Sequence, residues 1–110
     1  MDVDRIKNTC SETLILSLLR DRAMHGYEMC LEIERRAGGY FSLKHSTLYP
    51  LLHRLEKQGF IVGEWKALDA GKPKKVYKLT RKGRAFYSEN AQQWRELFVS
   101  LTRLVPEVAP

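Results

Sequence analysis

At 110 residues, with a formal net charge of +6 and 44% hydrophobic residues, the chain has the size of one domain with a single core. No apolar run approaches the ~20 residues needed to span a bilayer, and the opening MDVDRIKN lacks a signal-peptide core, so the expected location is the cytoplasm, with no membrane partner. The charge is uneven: residues 1–60 hold nine Lys/Arg against eight Asp/Glu, and residues 61–110 hold ten against five. A basic region localised in this way favours a polyanionic partner.

The first eight residues read as a flexible arm. Thr9-Cys10-Ser11-Glu12 fits a capping box with Thr9 as N-cap, opening a helix to about Arg20 whose apolar face is Leu14, Ile15, Leu18 and Leu19. Asp21 to Met24 is a short connection. A second helix begins near His25-Gly26 and stops at Gly38-Gly39. Its expected buried positions are Tyr27, Cys30, Ile33 and Ala37, with Glu32, Glu34, Arg35 and Arg36 facing water. Tyr40-Phe41-Ser42 reads as a short strand or turn.

The third helix spans His45 to Gln58 and stops at Gly59. Leu48, Leu51, Leu52 and Leu55 recur at i, i+3, i+4, i+7 and mark its buried face. The opposite face shows Ser46, Pro50, His53 and Lys57, flanked by Thr47, Tyr49 and Arg54, with no acid in its centre. Pro50 removes a backbone donor and is expected to kink or loosen the first turns. Residues 60–66 and 75–79 then read as paired strands around the loop 69–74. From Lys72 to Arg84 there are seven cationic residues and no acid.

Thr80 is placed to cap a final helix from Arg81 to about Val105, roughly 37 Å long at 1.5 Å per residue. Tyr87, Asn90, Trp94, Leu97, Leu101 and Leu104 recur along it at alternating steps of three and four, with Ala91, Phe98 and Val105 beside them. A seam this wide predicts a dimer interface as well as packing on its own domain.

The expected fold is therefore mainly α with a small β-hairpin: a winged helix-turn-helix over residues 1–80 and a C-terminal dimerisation helix over 81–110, in one compact unit. The partner that suits a polar helix face beside a basic hairpin is double-stranded DNA. Ser46, Thr47, Tyr49 and His53 are the residues expected at the major groove, with Lys44, Arg54 and Lys57 on phosphates. Lys72, Lys74 and Lys75 on the wing are expected to grip phosphates or the minor groove as point charges. A protein-interaction module using the same basic face on an acidic protein is the competing reading.

Cys10 and Cys30 read as reduced core residues, and His25, His45 and His53 share no metal-ligand spacing with them. No nucleophile–base–acid set, phosphate loop or carboxylate pair is present. An enzyme, a metal and a cofactor are accordingly not expected.

Five motifs in one order carry a family resemblance: His25-Gly26-Tyr27-Glu28, Ser46-Thr47-Leu48-Tyr49-Pro50, Arg54-Leu55-Glu56, Gly59-Phe60-Ile61, and Tyr77-Lys78-Leu79-Thr80-Arg81-Lys82-Gly83. Over residues 10–84 the chain closely resembles the PadR-like family of bacterial transcriptional regulators. The resemblance implies a homodimer on a palindromic operator, usually acting as a repressor and often released by a small molecule such as a phenolic acid or drug. The single C-terminal helix is similar to the short branch of the family, in which it exchanges across the dimer. Multidrug-binding members of that branch carry a Trp fourteen residues after the Thr that opens the helix, as Trp94 follows Thr80 here. By that resemblance Trp94 is a candidate for stacking on a flat aromatic effector, with Phe98, Leu14 and Leu18 as further pocket candidates. The chain departs from its relatives at the cap of the third helix. Many of them have Ser or Asn where it has Lys44, so either Ser42 supplies the cap or the first turn orders only on DNA.

Overall fold

A computed structural model describes residues 3–39, 42–67 and 71–110, with side chains from Cys10 onward at the amino end. Four helices and a three-stranded antiparallel sheet follow one another as α1 (Val3–Asp21), β1 (Met24–His25), α2 (Gly26–Arg36), α3 (His45–Lys57), β2 (Ile61–Lys66), β3 (Lys74–Leu79) and α4 (Arg81–Leu104), ending in a 3-10 turn at Pro106–Val108. The strand order is β1-β3-β2, with Met24 opposite Tyr77 and Ile61 opposite Leu79. The core forms where the leucine face of α3 (Leu48, Leu51, Leu52, Leu55) meets Ile15, Leu16 and Leu19 of α1, Met29 and Ile33 of α2, and Ile61, Tyr77 and Leu79 of the sheet. The mainly helical winged architecture expected from the pattern is the one observed.

Three local expectations are corrected. The first helix does not open at Thr9 but runs back to Val3. Nothing between Val3 and Thr9 is Pro or Gly, so no residue there stops a helix, and Glu12, read as a capping partner, pairs instead with Arg54 of α3. The connection after α1 contains β1, whose two residues are too short to leave a periodic signal. In α2 the buried positions are Gly26, Met29 and Ile33, while Tyr27 is 54% exposed and Cys30 and Ala37 are half-buried. The α2 backbone at Gly26 rests against the Tyr49 ring, where an added Cβ would lie 3.0 Å from the hydroxyl oxygen. Gly26, Met29 and Ile33 follow one another at helical spacing and form the inward stripe, which leaves Tyr27 on the other side.

The ends of the helices follow from their caps. His25 Nδ1 accepts from Glu28 N while the Glu28 carboxylate accepts from His25 N, a reciprocal capping box at α2. Helix α3 closes with Phe60 N donating to Leu55 O and Gly59 N donating to Glu56 O, at a Gly59 φ of +84°. Its amino end is uncapped: Lys44 makes no side-chain cap bond, and among the described residues no bond of Ser42 replaces it. Pro50 lies within α3, which continues through it as one helix. Tyr40 and Phe41 lie outside the described residues.

The root of α4 is tightly tied. Thr80 Oγ1 donates to Gly59 O at 2.6 Å and accepts from Gly83 N at 2.9 Å. Thr80 N donates to Phe60 O, and a Cβ on Gly83 would stand 1.9 Å from that same oxygen. Phe60 and Phe86 stack at 4.0 Å, and Lys82 Nζ donates to Gln58 O at the end of α3.

Candidate nucleic-acid interface

The leucine face of α3 is held in the core, so its other face is fixed outward. Lys44, His45, Ser46, Thr47, Tyr49, His53, Arg54 and Lys57 are all exposed. Helix α3 has no acid in its first turn. Its only acid, Glu56, turns toward the wing rather than to the outer face. There it accepts from Gly63 N at 3.1 Å and from Lys75 Nζ at 2.9 Å. The Lys75 ammonium beside it holds the Glu56 carboxyl below the ordinary range, against the opposing effect of burial and with help from Gly63 N. One carboxylate thus docks the wing onto the helix at both a backbone and a side-chain point. Gly63 makes this possible, because a Cβ there would sit 2.5 Å from Lys75 Cε.

The expected phosphate-binding cations fall into two groups. Lys44, Lys57, Lys72 and Lys74 are exposed, and no ion pair is recorded for them among the described residues. Arg54 and Lys75 are engaged within the chain: Arg54 Nε and Nη2 donate to Glu12 Oε1 at 3.1 and 2.6 Å, and Lys75 is held by Glu56. These two links tie α3 to α1 and to β3. Sequence reading missed them because their partners lie 42 and 19 residues away.

A cleft of about 360 Å³ opens between the amino ends of α2 and α3 and the wing. Tyr27 and Tyr49 border one side of it, and Trp65, Pro73 and Lys74 the other. The His45 ring lies 6.0 Å from both Tyr27 and Tyr49. Tyr27, His45 and Trp65 were not read as site residues. The local pattern gives no signal for Trp65, since period two sets it on the same face of β2 as the buried Ile61, yet it is exposed.

The residues proposed for effector and dimer contact lie elsewhere. Trp94 and Phe98 are neighbours on α4, with ring centroids 6.1 Å apart. Leu14 and Leu18 border an apolar groove of about 280 Å³ between α1 and α2, with Cys10 and Ile33, which Trp94 and Phe98 do not reach within the protomer. Along α4, Tyr87, Asn90, Trp94 and Leu101 are half-buried, whereas Leu97, Phe98 and Leu104 are exposed. The Tyr87 hydroxyl reaches Ser17 Oγ at 3.4 Å and Arg20 lies over its ring, so this first seam residue packs on its own α1.

The sequence profile of the PadR-like transcriptional regulator family matches residues 15–89, from the core of α1 into α4. The chain belongs to the PadR-like family. It is 36% identical over 83 residues to the transcriptional regulator Rv3488 of Mycobacterium tuberculosis, covering 76% of the chain and 74% of that protein. The negative transcriptional regulator PadR of Bacillus subtilis is 36% identical over 70 residues, which are 64% of the chain but 38% of the larger protein. Among solved structures, a transcriptional regulator from Clostridium thermocellum superposes with a TM-score of 0.82 at 27% identity, over 96% of this chain and 98% of that one. Bacillus subtilis PadR in complex with operator DNA superposes with a TM-score of 0.67 at 31% identity, over 73% of this chain and 44% of that one.

As a PadR-like protein the chain is a transcriptional regulator, not an enzyme. Among the described residues no helix is long and apolar enough to cross a membrane, and no three potential metal ligands cluster.

Proposed function

We propose that the protein is a homodimeric repressor that binds a palindromic operator and leaves it when a small aromatic or hydrophobic effector binds. The observation that carries this reading is the outward polar face of α3, free of acids, with a cationic wing docked beside it through Glu56. Ser46, Thr47, Tyr49 and His53 are assigned to base edges and Lys44, Lys57, Lys72 and Lys74 to phosphates. Arg54 and Lys75 reach phosphate only by exchanging or sharing their carboxylates, so their first role is to hold the face together. The Bacillus subtilis relative solved with operator DNA supports the choice of partner, and that protein's description as a negative regulator supports the sign.

The dimer rests on the distal part of α4. Leu97 at 47%, Phe98 at 58% and Leu104 at 79% exposure form an apolar surface on a helix that is otherwise well anchored. A second copy pairing through this seam places two α3 helices on one face of a duplex, with half-sites expected about 34 Å apart. Trp94 and Phe98 lie on the same seam, where an effector would change the angle between the heads and lower DNA affinity by linkage. Leu14 and Leu18 are candidate walls contributed from α1.

The test is a gel shift on the DNA upstream of the protein's own gene, repeated across salt concentrations, with sedimentation of the free protein. The expected result is a dimer that binds this DNA and loses affinity steeply with salt. A monomer, or no binding at low salt, would remove the reading and favour a protein-interaction module.

A further inference from the structure

We infer that Trp65 and Tyr27 close, with Tyr49, an aromatic clamp on the sugar–phosphate backbone of one DNA strand as it passes between α3 and the wing. The inference rests on the DNA-binding reading above and adds residues to it that the helix and the lysines do not supply.

Among the described residues outside α4, three Tyr, Phe or Trp side chains are largely exposed: Tyr27 at 54%, Tyr49 at 50% and Trp65 at 71%. They come from three different elements, α2, α3 and β2, yet all border the one cleft beside the wing. Leaving so much aromatic surface in water forgoes the stabilisation of burial, and its convergence on one concavity marks a surface with an occupant. The cleft's charge says which kind. Lys74 and Lys75 border it and, among the described residues, no carboxylate does, although Glu56 pairs with Lys75 and offsets its charge. The occupant is therefore anionic and also offers apolar faces to flat rings.

A nucleic-acid backbone has both properties, alternating phosphates with the C–H faces of deoxyribose. The cleft adjoins the outward face of α3 through Tyr49, and the His45 ring lies 6.0 Å from both Tyr27 and Tyr49. A strand leaving the groove filled by α3 therefore meets Tyr49 and Tyr27 first, then Trp65 and Lys74. Rings held this way sense the path of the backbone rather than base identity, so they select for DNA shape. They release no counterions, which separates their contribution from that of the lysines.

That difference supplies the test. Trp65→Ala and Trp65→Phe are compared with the parent on operator and on unrelated duplex DNA, across a range of salt. Trp65→Ala is expected to weaken both by about fivefold, with an unchanged slope of log affinity against log salt, and Trp65→Phe to recover most of the loss. Tyr27→Ala should act in the same direction. DNA should also change the tryptophan emission of the parent in a component that Trp65→Phe lacks. If Trp65→Ala binds within twofold of the parent and the emission change survives in Trp65→Phe, the clamp is overturned while the repressor reading stands. A parent that binds no duplex takes both down. If Trp65→Ala loses affinity for polyglutamate but not for DNA, the cleft serves an acidic protein and the inference is wrong.

Discussion

The two ends of α4 obey different rules. Its first turn is fixed by Thr80 bonded to Gly59 and Gly83, by Gly83 pressed on the Phe60 carbonyl, and by Phe86 stacked on Phe60. Past Trp94 the apolar residues lose such cover, until Leu104 is 79% exposed. The helix is continuous, but the root completes the winged head while the far end leaves apolar side chains exposed. In the proposed dimer, folding of the head and assembly would fall to separate stretches of one element.

Breaking the far end should give the largest effect. Leu97→Asp combined with Leu104→Asp places charges in the apolar seam proposed to join the protomers, and the dimer dissociation constant should rise about a hundredfold or more. The melting of the head, followed at dimer-independent concentrations, should stay close to that of the parent. A simultaneous collapse of the head would show that the two ends are not separable.

The reciprocal change is Gly83→Ala. A methyl group directed at a backbone oxygen 1.9 Å away forces α4 to shift from Phe60. A loss of about 2–4 kcal/mol in unfolding free energy is expected, as for overpacked or cap-breaking changes. Denaturant titration reads it, and a value within 0.5 kcal/mol of the parent, roughly the range of neutral surface changes, would contradict the close packing.

Glu56→Gln sharpens the comparison inside the head. It keeps the size of the side chain but removes the ion pair, and about 1 kcal/mol should be lost because the pair is only partly shielded from water. The Lys75 hydrogen bond lowers the folded-state Glu56 value below its unfolded one. Its stabilisation is thus complete above the ordinary glutamate range of about 4.3 and is lost as pH falls through the depressed value. The gap between parent and variant should therefore narrow in acid and stay constant near neutrality. Glu32, held at about 2 chiefly by hydrogen bonding to Arg35, should keep its charge well into the acid range.

The smallest change is expected from Lys74→Gln. If Lys74 meets one phosphate, the salt dependence of DNA binding should become shallower by about 0.9 per contact, with little effect on discrimination between sequences. An unchanged slope would leave Lys44, Lys57 and Lys72 as the phosphate contacts.

What the sequence disclosed followed the reach of each signal. The spacing of Leu48, Leu51, Leu52 and Leu55 marked the inner face of α3 because helical period is a local property. Gly59 and Thr80 announced element ends for the same reason. The pairs Glu12–Arg54 and Glu56–Lys75 were not legible, since they join residues brought together only by the fold. As a result two structural cations were counted with the free ones. The helical spacing of Tyr27 to Cys30 points it inward, but the stripe that faces the core is Gly26, Met29 and Ile33 instead. The elements α3, the hairpin and α4 are legible as local patterns; the aromatic cleft among α2, α3 and the wing is not.

The joint at Thr80 also has a mechanical meaning. Thr80 and Lys82 bond to Gly59 and Gln58, the residues that end α3. Two rods therefore meet at one stiff elbow. A 24-residue helix is about 36 Å long at 1.5 Å per residue, so a small sideways push near Leu104 acts through a long arm. In the dimer proposed above, a displacement at the seam would pass to each head through this joint.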